Sequence, residues 1–351
     1  MMRPSLALWC VLITLLLIMS GPASVSATKY AGAFMDIGGG ARPLGMGGAF
    51  VAVANDASTV YYNPAGISGW SNRQALFMHS ERFGNLLNYN FGSYVQPTKL
   101  LSDKREAGFG FALQHLGADD IVISNHLEYF DANGNGRFEP GEGEYLTQNG
   151  QRVPDEVLDN LPRESDNSFA FLGAFGLATG FGRLGGTLKI IYTDSVDGNS
   201  SAGIGIDLGY LYRGLLVDHL DVGVKLQDAT GTYLSWSTGT TEYIWPMVKV
   251  GAAYTIVSEA MRGSLLLAID SDFYFDNRQF ASQYWVGDMS ADIHAGAELR
   301  FQEKVMVRGG VDSGNWTAGA GLLVKFIGFD YAYLNHDDFE STHRVSLLAN
   351  F

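Results

Sequence analysis

The sequence predicts an all-β protein, a fourteen-stranded antiparallel transmembrane β-barrel in the outer membrane of a Gram-negative-type bacterium, preceded by a compact amino-terminal plug. Three observations predict it. Glycine accounts for 44 of 351 residues and aromatics for 13%, a pairing that suits packed strands, because glycine weakens helix interiors while aromatic rings fit pleated sheets. The apolar stretches after residue 27 run for about ten residues with period-two alternation, well short of the roughly 20 that a membrane helix needs. Fourteen such stretches occur, an even number, and the long connections follow only odd-numbered ones, as in outer-membrane barrels.

Composition narrows the function classes. Lys plus Arg is 23 against 37 for Asp plus Glu, so a nucleic-acid binder, which needs a cationic face to displace counterions from phosphate, is excluded. Hydrophobic residues at 46% and charged residues at 17% exclude a disordered chain.

Residues 1–27 read as a secretory signal peptide. Arg3 precedes an apolar run from Leu6 to Met19, and small residues lead to Val25-Ser26-Ala27, where cleavage is expected. The mature chain then has 351 − 27 = 324 residues and loses Cys10, leaving no cysteine for disulfide or thiol chemistry.

Residues 28–73 form the expected hatch. The glycines of 38–48 permit close backbone approach, Asp56 or Ser58 can cap a helical turn, and Asn63-Pro64 forces the chain out of it. The barrel follows over 74–351, with strands expected near 74–80, 87–96, 106–116, 167–177, 182–193, 202–212, 220–226, 247–256, 263–271, 290–301, 305–311, 316–326, 328–334 and 341–351. The strand at 202–212 shows why: Ala202, Ile204, Ile206, Leu208, Tyr210 and Tyr212 share one face, and Gly203, Gly205, Asp207 and Gly209 the other. A secreted soluble β-sandwich, with its apolar face turned inward, gives the same alternation in any one strand and is the structural alternative. Glycines 203, 205, 209, 319 and 321 either make room for a hatch or relieve crowding between strands.

Two ends of the chain resemble a known family. Gly40-Ala41-Arg42-Pro43-Leu44-Gly45-Met46-Gly47-Gly48-Ala49, then Asn55-Asp56-Ala57-Ser58 and Tyr62-Asn63-Pro64-Ala65-Gly66, are similar to the amino terminus of the PorV/PorQ family within the FadL superfamily. Phe329-Asp330-Tyr331-Ala332-Tyr333 and Thr342-His343-Arg344-Val345-Ser346-Leu347 resemble that family's closing hairpin. The resemblance implies a fourteen-stranded barrel with a luminal hatch, whose motif maps to Gly45, Gly47, Gly48, Asn63, Pro64, Ala65 and Gly66. It implies one of two roles. PorV-type members support protein secretion of the type IX kind or cargo transfer, with a secreted cargo or translocon protein as partner. FadL-type members take up hydrophobic compounds such as long-chain fatty acids.

Other features point to partners. In the long connection at 117–166, Asp131, Asn133, Asn135, Gly136, Arg137, Glu139 and Glu142 fit a calcium-loop pattern. The oxygen ligands recur at alternate positions, Arg137 offers its carbonyl and Glu142 closes the site; a flexible Asn/Gly loop without metal is the alternative. Three formally charged ligands suit weak extracellular binding, roughly 10⁻⁴ to 10⁻³ M, and the ion would be structural. Tyr233, Trp236, Tyr243 and Trp245 form either an aromatic belt against outer-membrane lipid or an outer-face binding patch. Phe351 ends an alternation through Ala349, Leu347, Val345 and His343, which looks like the signature read by the barrel-assembly machinery. No catalytic residue is expected: the seven histidines lack zinc spacing, and neither a GxSxG elbow nor a Walker loop occurs. The expected role is that of a PorV-type transport and binding barrel supporting secretion or cargo transfer, with FadL-type uptake of hydrophobic compounds as the alternative, not catalysis.

Overall fold

The computed structural model describes residues 32–82, 86–100, 105–124, 127–129, 145–146, 153–154, 157, 159–259, 262–335 and 341–351. The expected signal peptide at 1–27 and the calcium-type loop at 131–142 lie outside these residues.

Fourteen staves make up the wall: β1 (Gln74–Arg82), β2 (Leu87–Leu100), β3 (Arg105–Val122), β4 (Arg163–Thr179), β5 (Gly182–Asp194), β6 (Ser200–Tyr212), β7 (Leu220–Gln227), β8 (Met247–Ser258), β9 (Gly263–Tyr274), β10 (Met289–Phe301), β11 (Val305–Asp312), β12 (Asn315–Val324), β13 (Ile327–Leu334) and β14 (Thr342–Asn350). Each pairs antiparallel with its neighbour in sequence, and β14 returns to β1 from Gln74 opposite Asn350 to Glu81 opposite His343. Closure removes the free edges that an open sheet would expose. Among the described residues no helix is long and apolar enough to cross a membrane.

The polarity of the wall is inside-out. Phe77, Phe111, Phe171, Ile190, Ile204, Ile269, Val307, Phe329 and Val345 point outward and are exposed, while Lys189, Asp207, Lys225, Asp272, Glu298, Arg308 and Arg344 point inward and are buried. A soluble sandwich would do the reverse, so that alternative is excluded. An apolar outer band around a polar interior is the solution a closed sheet adopts in lipid. Long connections at 123–162, 228–246 and 275–288 share one rim, whereas the other rim has short turns such as 180–181, 302–304 and 325–326.

Two differences from the expected strands have local causes. β3 and β4 run past 116 and 167 because Ile121 and Val122 still pair with Glu164 and Arg163 beyond a bulge, helped by a 2.8 Å hydrogen bond from Ser165 to Asp119. The connection after β7 contains a hairpin, Thr232–Trp236 with Thr241–Ile244, which pairs with the upper half of β6 where the shorter β7 has already ended.

Candidate functional site

The lumen is filled by residues 32–73, so the site is the hatch and its contacts with the wall. Its chain folds through a 3-10 turn (Ala33–Ile37), α1 (Ala41–Gly45), α2 (Thr59–Tyr62) and a second 3-10 turn (Pro64–Gly69). Asp56, rather than Ser58, holds the entry to α2: its Oδ1 accepts the Ser58 N–H at 2.9 Å. Asn63 ends α2 in an extended conformation, φ −160°, and its Oδ1 accepts the Ala65 N–H at 3.2 Å, with Pro64 opening the following turn.

One side of the hatch is tied to the wall by charge. Arg42 donates to Glu298 from Nε at 2.8 Å and from Nη2 at 2.9 Å, and from Nη1 to Asp56 at 3.0 Å and Asn55 at 2.7 Å. Glu298 also accepts from Arg308 Nε at 2.6 Å and Arg300 Nη2 at 3.1 Å, and Arg308 reaches Asp330 at 2.6 Å. Burial alone would lower the Arg42 pKa; the Glu298 and Asp56 carboxylates outweigh it and hold the guanidinium above its ordinary value. Close by, Asp270 Oδ2 accepts the N–H groups of Phe50 and Val51 at 2.6 and 2.8 Å. Lys225 Nζ donates to the Tyr61 carbonyl at 2.6 Å, and Arg213 grips the Ala52 and Val53 carbonyls at 3.0 and 2.8 Å.

Against β1–β5 the hatch packs mainly through apolar side chains. Phe34, Met35, Val60, Tyr61 and Ile67 of the hatch pack with Met78, Tyr89, Phe91, Val95, Ala112, Leu172 and Ile191 of β1–β5 in one buried cluster. The wall thins to backbone here: a β carbon on Gly110 would stand 2.6 Å from Val60, and one on Gly108 2.7 Å from Ile67. Among the described residues this side has no ion pair to the hatch; it has neutral hydrogen bonds such as Tyr89 to the Gly38 carbonyl at 2.8 Å and Thr187 to the Val60 carbonyl at 3.3 Å.

Three of the four hatch-motif glycines meet the wall directly. Gly47 has φ +65°, and a β carbon there would lie 2.5 Å from the carbonyl oxygens of Ala295 and Val311. The Thr317 hydroxyl accepts the Gly47 N–H at 3.1 Å, and His294 Nδ1 lies 3.1 Å from the Gly47 carbonyl. Gly45 lies against Gly319, Gly48 against His294, and Gly66 against the Ala54 carbonyl and Thr59. The luminal glycines answer both uses foreseen for them: Gly209 and Gly319 face the hatch, whereas Gly203, Gly205 and Gly321 accommodate Leu234, Thr232 and Asp330 of the barrel itself. Between hatch and wall remains a cavity of about 150 Å³ lined by Asp36, Tyr61, Lys249, Asp272, Tyr274 and His294 among others. Within it Lys249 pairs with Asp272, and His294 with Asp312 at 3.0 Å.

The rim aromatics separate into two sets. Tyr233 and Tyr243 lie 4.8 Å apart and Tyr243 and Trp245 5.3 Å apart, on the outward side where Tyr233 pairs with Ile204; Trp236 alternates to the other face of the hairpin. Phe351 is exposed and its N–H donates to the Arg73 carbonyl at 2.9 Å, beside the Gln74–Asn350 pair that closes the barrel. Sequence reasoning did not single out Arg42, Glu298, Arg308 and Asp330 as one cluster. The signal available was weak: charged residues on the small, luminal faces of strands, with no spacing to link them.

No protein-family model and no curated protein matches the chain. Solved structures do. The toluene transporter TbuX of Ralstonia pickettii superposes with a TM-score of 0.52 at 14% identity over 89% of this chain and 97% of TbuX. The toluene transporter TodX of P. putida superposes with a TM-score of 0.53 at 13% identity over 90% of this chain and 99% of TodX. At that identity the likeness concerns architecture alone: the chain shares the barrel fold of these two structures.

Proposed function

We propose that this chain is an outer-membrane barrel that binds hydrophobic compounds and passes them through its lumen. The observation that carries the reading is the apolar seam between the hatch and β1–β5. A porin-type channel is a polar, water-filled path; here the hatch meets β1–β5 through a cluster of apolar side chains. An oily molecule moving along that seam replaces dispersion contacts with its own and unpairs no charge, while the Arg42 cluster keeps the other side of the hatch anchored. The shared fold with two toluene transporters supports the same class of cargo.

A cysteine staple tests it. In a chain without Cys10, Val60→Cys with Gly110→Cys joins contacting positions across the seam. Uptake of radiolabelled toluene and oleate by cells carrying the oxidised barrel is expected to fall to background and to recover on reduction. Uptake indifferent to the staple overturns the reading.

A second reading is favoured by the residues at 40–49 and 62–66, which resemble the PorV/PorQ hatch: a barrel supporting protein secretion, with a secreted cargo or translocon subunit docked at the long-loop rim. Native mass spectrometry of protein gently extracted from its own membrane separates the two. Small apolar adducts support transport, and a stoichiometric protein partner supports secretion. In either role, calcium in the loop at 131–142 is proposed as a structural clip, and Phe351 as the contact for the barrel-assembly machinery.

A further inference from the structure

On the outside of β1–β4 a polar row crosses four strands. His79 Nδ1 and Asn90 Oδ1 lie 2.8 Å apart, Asn90 Nδ2 and His115 Nδ1 3.2 Å apart, and His115 Nε2 and Asn167 Oδ1 2.9 Å apart. The His115 ring stacks on Phe169 with centroids 4.7 Å apart. The row follows one rung of the ladder, since His79 pairs with Asn90 and Asn90 with His115. Its level is a boundary. Toward the long-loop rim, β3 and β4 become polar, with Asp119, Ser165 and the Arg163–Asp120 ion pair; toward the other rim the outward residues are Leu113, Phe111 and Phe109 on β3 and Phe171 and Phe175 on β4.

Below the row, the same face has an apolar groove of about 450 Å³, lined by Phe111, Gly173, Phe175, Gly186, Leu188 and Ile206 among others. The groove exists because two glycines break the row of bulky side chains. A β carbon on Gly173 would meet nothing nearer than 4.0 Å, and one on Gly186 nothing nearer than 3.8 Å. Phe111 and His115 are four residues apart on β3, or about 13 Å at the rise of a strand. A polar row and an apolar furrow on one lipid-facing wall match the two halves of a lipid.

We infer that β1–β6 carry a binding site for one outer-leaflet lipid with an uncharged, hydroxyl-rich headgroup of the sugar type. The headgroup lies on His79, Asn90, His115 and Asn167, and an acyl chain runs past Leu113 and Phe171 into the groove. The headgroup class follows from the row's chemistry. The Asn amides both donate and accept, as sugar hydroxyls do, whereas phosphate only accepts. The charges beside the row are also of the wrong sign for phosphate: Glu81 lies 3.8 Å from His79, and Asp194 pairs with Asn167. Among the described residues no lysine or arginine points outward between the row and the groove. The inference rests on the membrane placement proposed above, not on the nature of the transported compound.

The test is native mass spectrometry of the purified barrel in mixed micelles that contain equal amounts of monoglucosyl diacylglycerol, phosphatidylglycerol and phosphatidylethanolamine. One glycolipid is expected to stay bound at collision energies that strip both phospholipids. The double variant N90A/H115A should reduce that preference by about tenfold, and Gly173→Leu, which fills the groove, should abolish retention. Equal retention of all three lipids, preference for phosphatidylglycerol, or retention unchanged in both variants overturns the site. Absence of any lipid adduct overturns it together with the membrane placement. The preference of the unmodified barrel decides the matter even where a variant fails to fold.

Discussion

Arg42 and Glu298, 256 residues apart in sequence, meet in a two-pronged ion pair at 2.8 and 2.9 Å that joins the hatch to β10. Both side chains are almost fully buried, so each depends on the other for the solvation it lost on folding. Glu298 additionally serves Arg300 and Arg308, and this asymmetry orders the two single variants.

Glu298→Ala leaves three arginines short of one carboxylate and is expected to cost about 3–5 kcal/mol, as for other broken buried pairs. Arg42→Ala is expected to cost less, because Glu298 keeps Arg308 and Arg300 while only Asp56 loses its cation. Urea midpoints in detergent measure the order. Planar-bilayer recordings measure the consequence: both variants should conduct ions through a loosened hatch while the parent barrel stays silent. Equal midpoints for both variants and the parent would show that the charged side does not anchor the hatch.

Gly47 and Gly48 both have positive φ, yet they should respond differently to alanine. At Gly47 the new β carbon meets two backbone carbonyl oxygens at 2.5 Å, which cannot yield without moving β10 and β11. At Gly48 it meets the His294 side chain at 3.2 Å, which can turn aside. Both changes pay the left-handed penalty of about 1–2 kcal/mol, but only Gly47→Ala should unseat the hatch. Chymotrypsin cleavage at Phe50, fully buried in the parent, reads this out; equal protection of the two variants would contradict it.

The barrel was legible because period-two alternation records which face meets lipid: each of the fourteen expected strands has a stave in the structure, most within a few residues. The turns at Gly47-Gly48 and Asn63-Pro64 were legible because they are local necessities of backbone geometry. The Arg42–Glu298–Arg308–Asp330 cluster was not, because alternation shows that these side chains face the lumen but not which of them meet after closure. The His79–Asn90–His115–Asn167 row was hidden for the same reason. Its members come from four strands, and only the register brings them onto adjoining rungs. The hairpin at 232–244 was missed since its pairing with β6 depends on where β7 stops.

Asn63 is fully buried and its side chain makes three bonds: Nδ2 donates to the Val51 carbonyl at 2.9 Å and the Tyr210 carbonyl at 3.1 Å, and Oδ1 accepts from Ala65. Asn63→Ala strands two carbonyls and one N–H and is expected to cost about 1–3 kcal/mol. Asn63→Asp keeps the shape but turns a carboxylate oxygen toward two carbonyl oxygens, so it should lower the urea midpoint further than alanine does. The opposite order would mean that volume, not hydrogen bonding, is what this position supplies.

Calcium at 131–142 is expected to act on the long loop alone. Asp131, Asn133, Asn135 and Glu142 supply hard oxygens at the spacing of a calcium loop, and the barrel wall draws its closure from strand pairing that involves none of them. Millimolar calcium should therefore protect the Arg137–Phe138 bond from trypsin, and a chelator should restore cleavage, with the thermal unfolding of the barrel unmoved. Magnesium should protect poorly, because it demands near-ideal octahedral geometry and gives up its own water reluctantly. Asp131→Asn and Glu142→Gln remove one charge each from a site with three formally charged ligands, so both should shift protection to higher calcium, Glu142→Gln more because it supplies two oxygens. Trypsin cleavage at Arg137 that ignores calcium in the unmodified protein would reduce the motif to an Asn/Gly-rich loop.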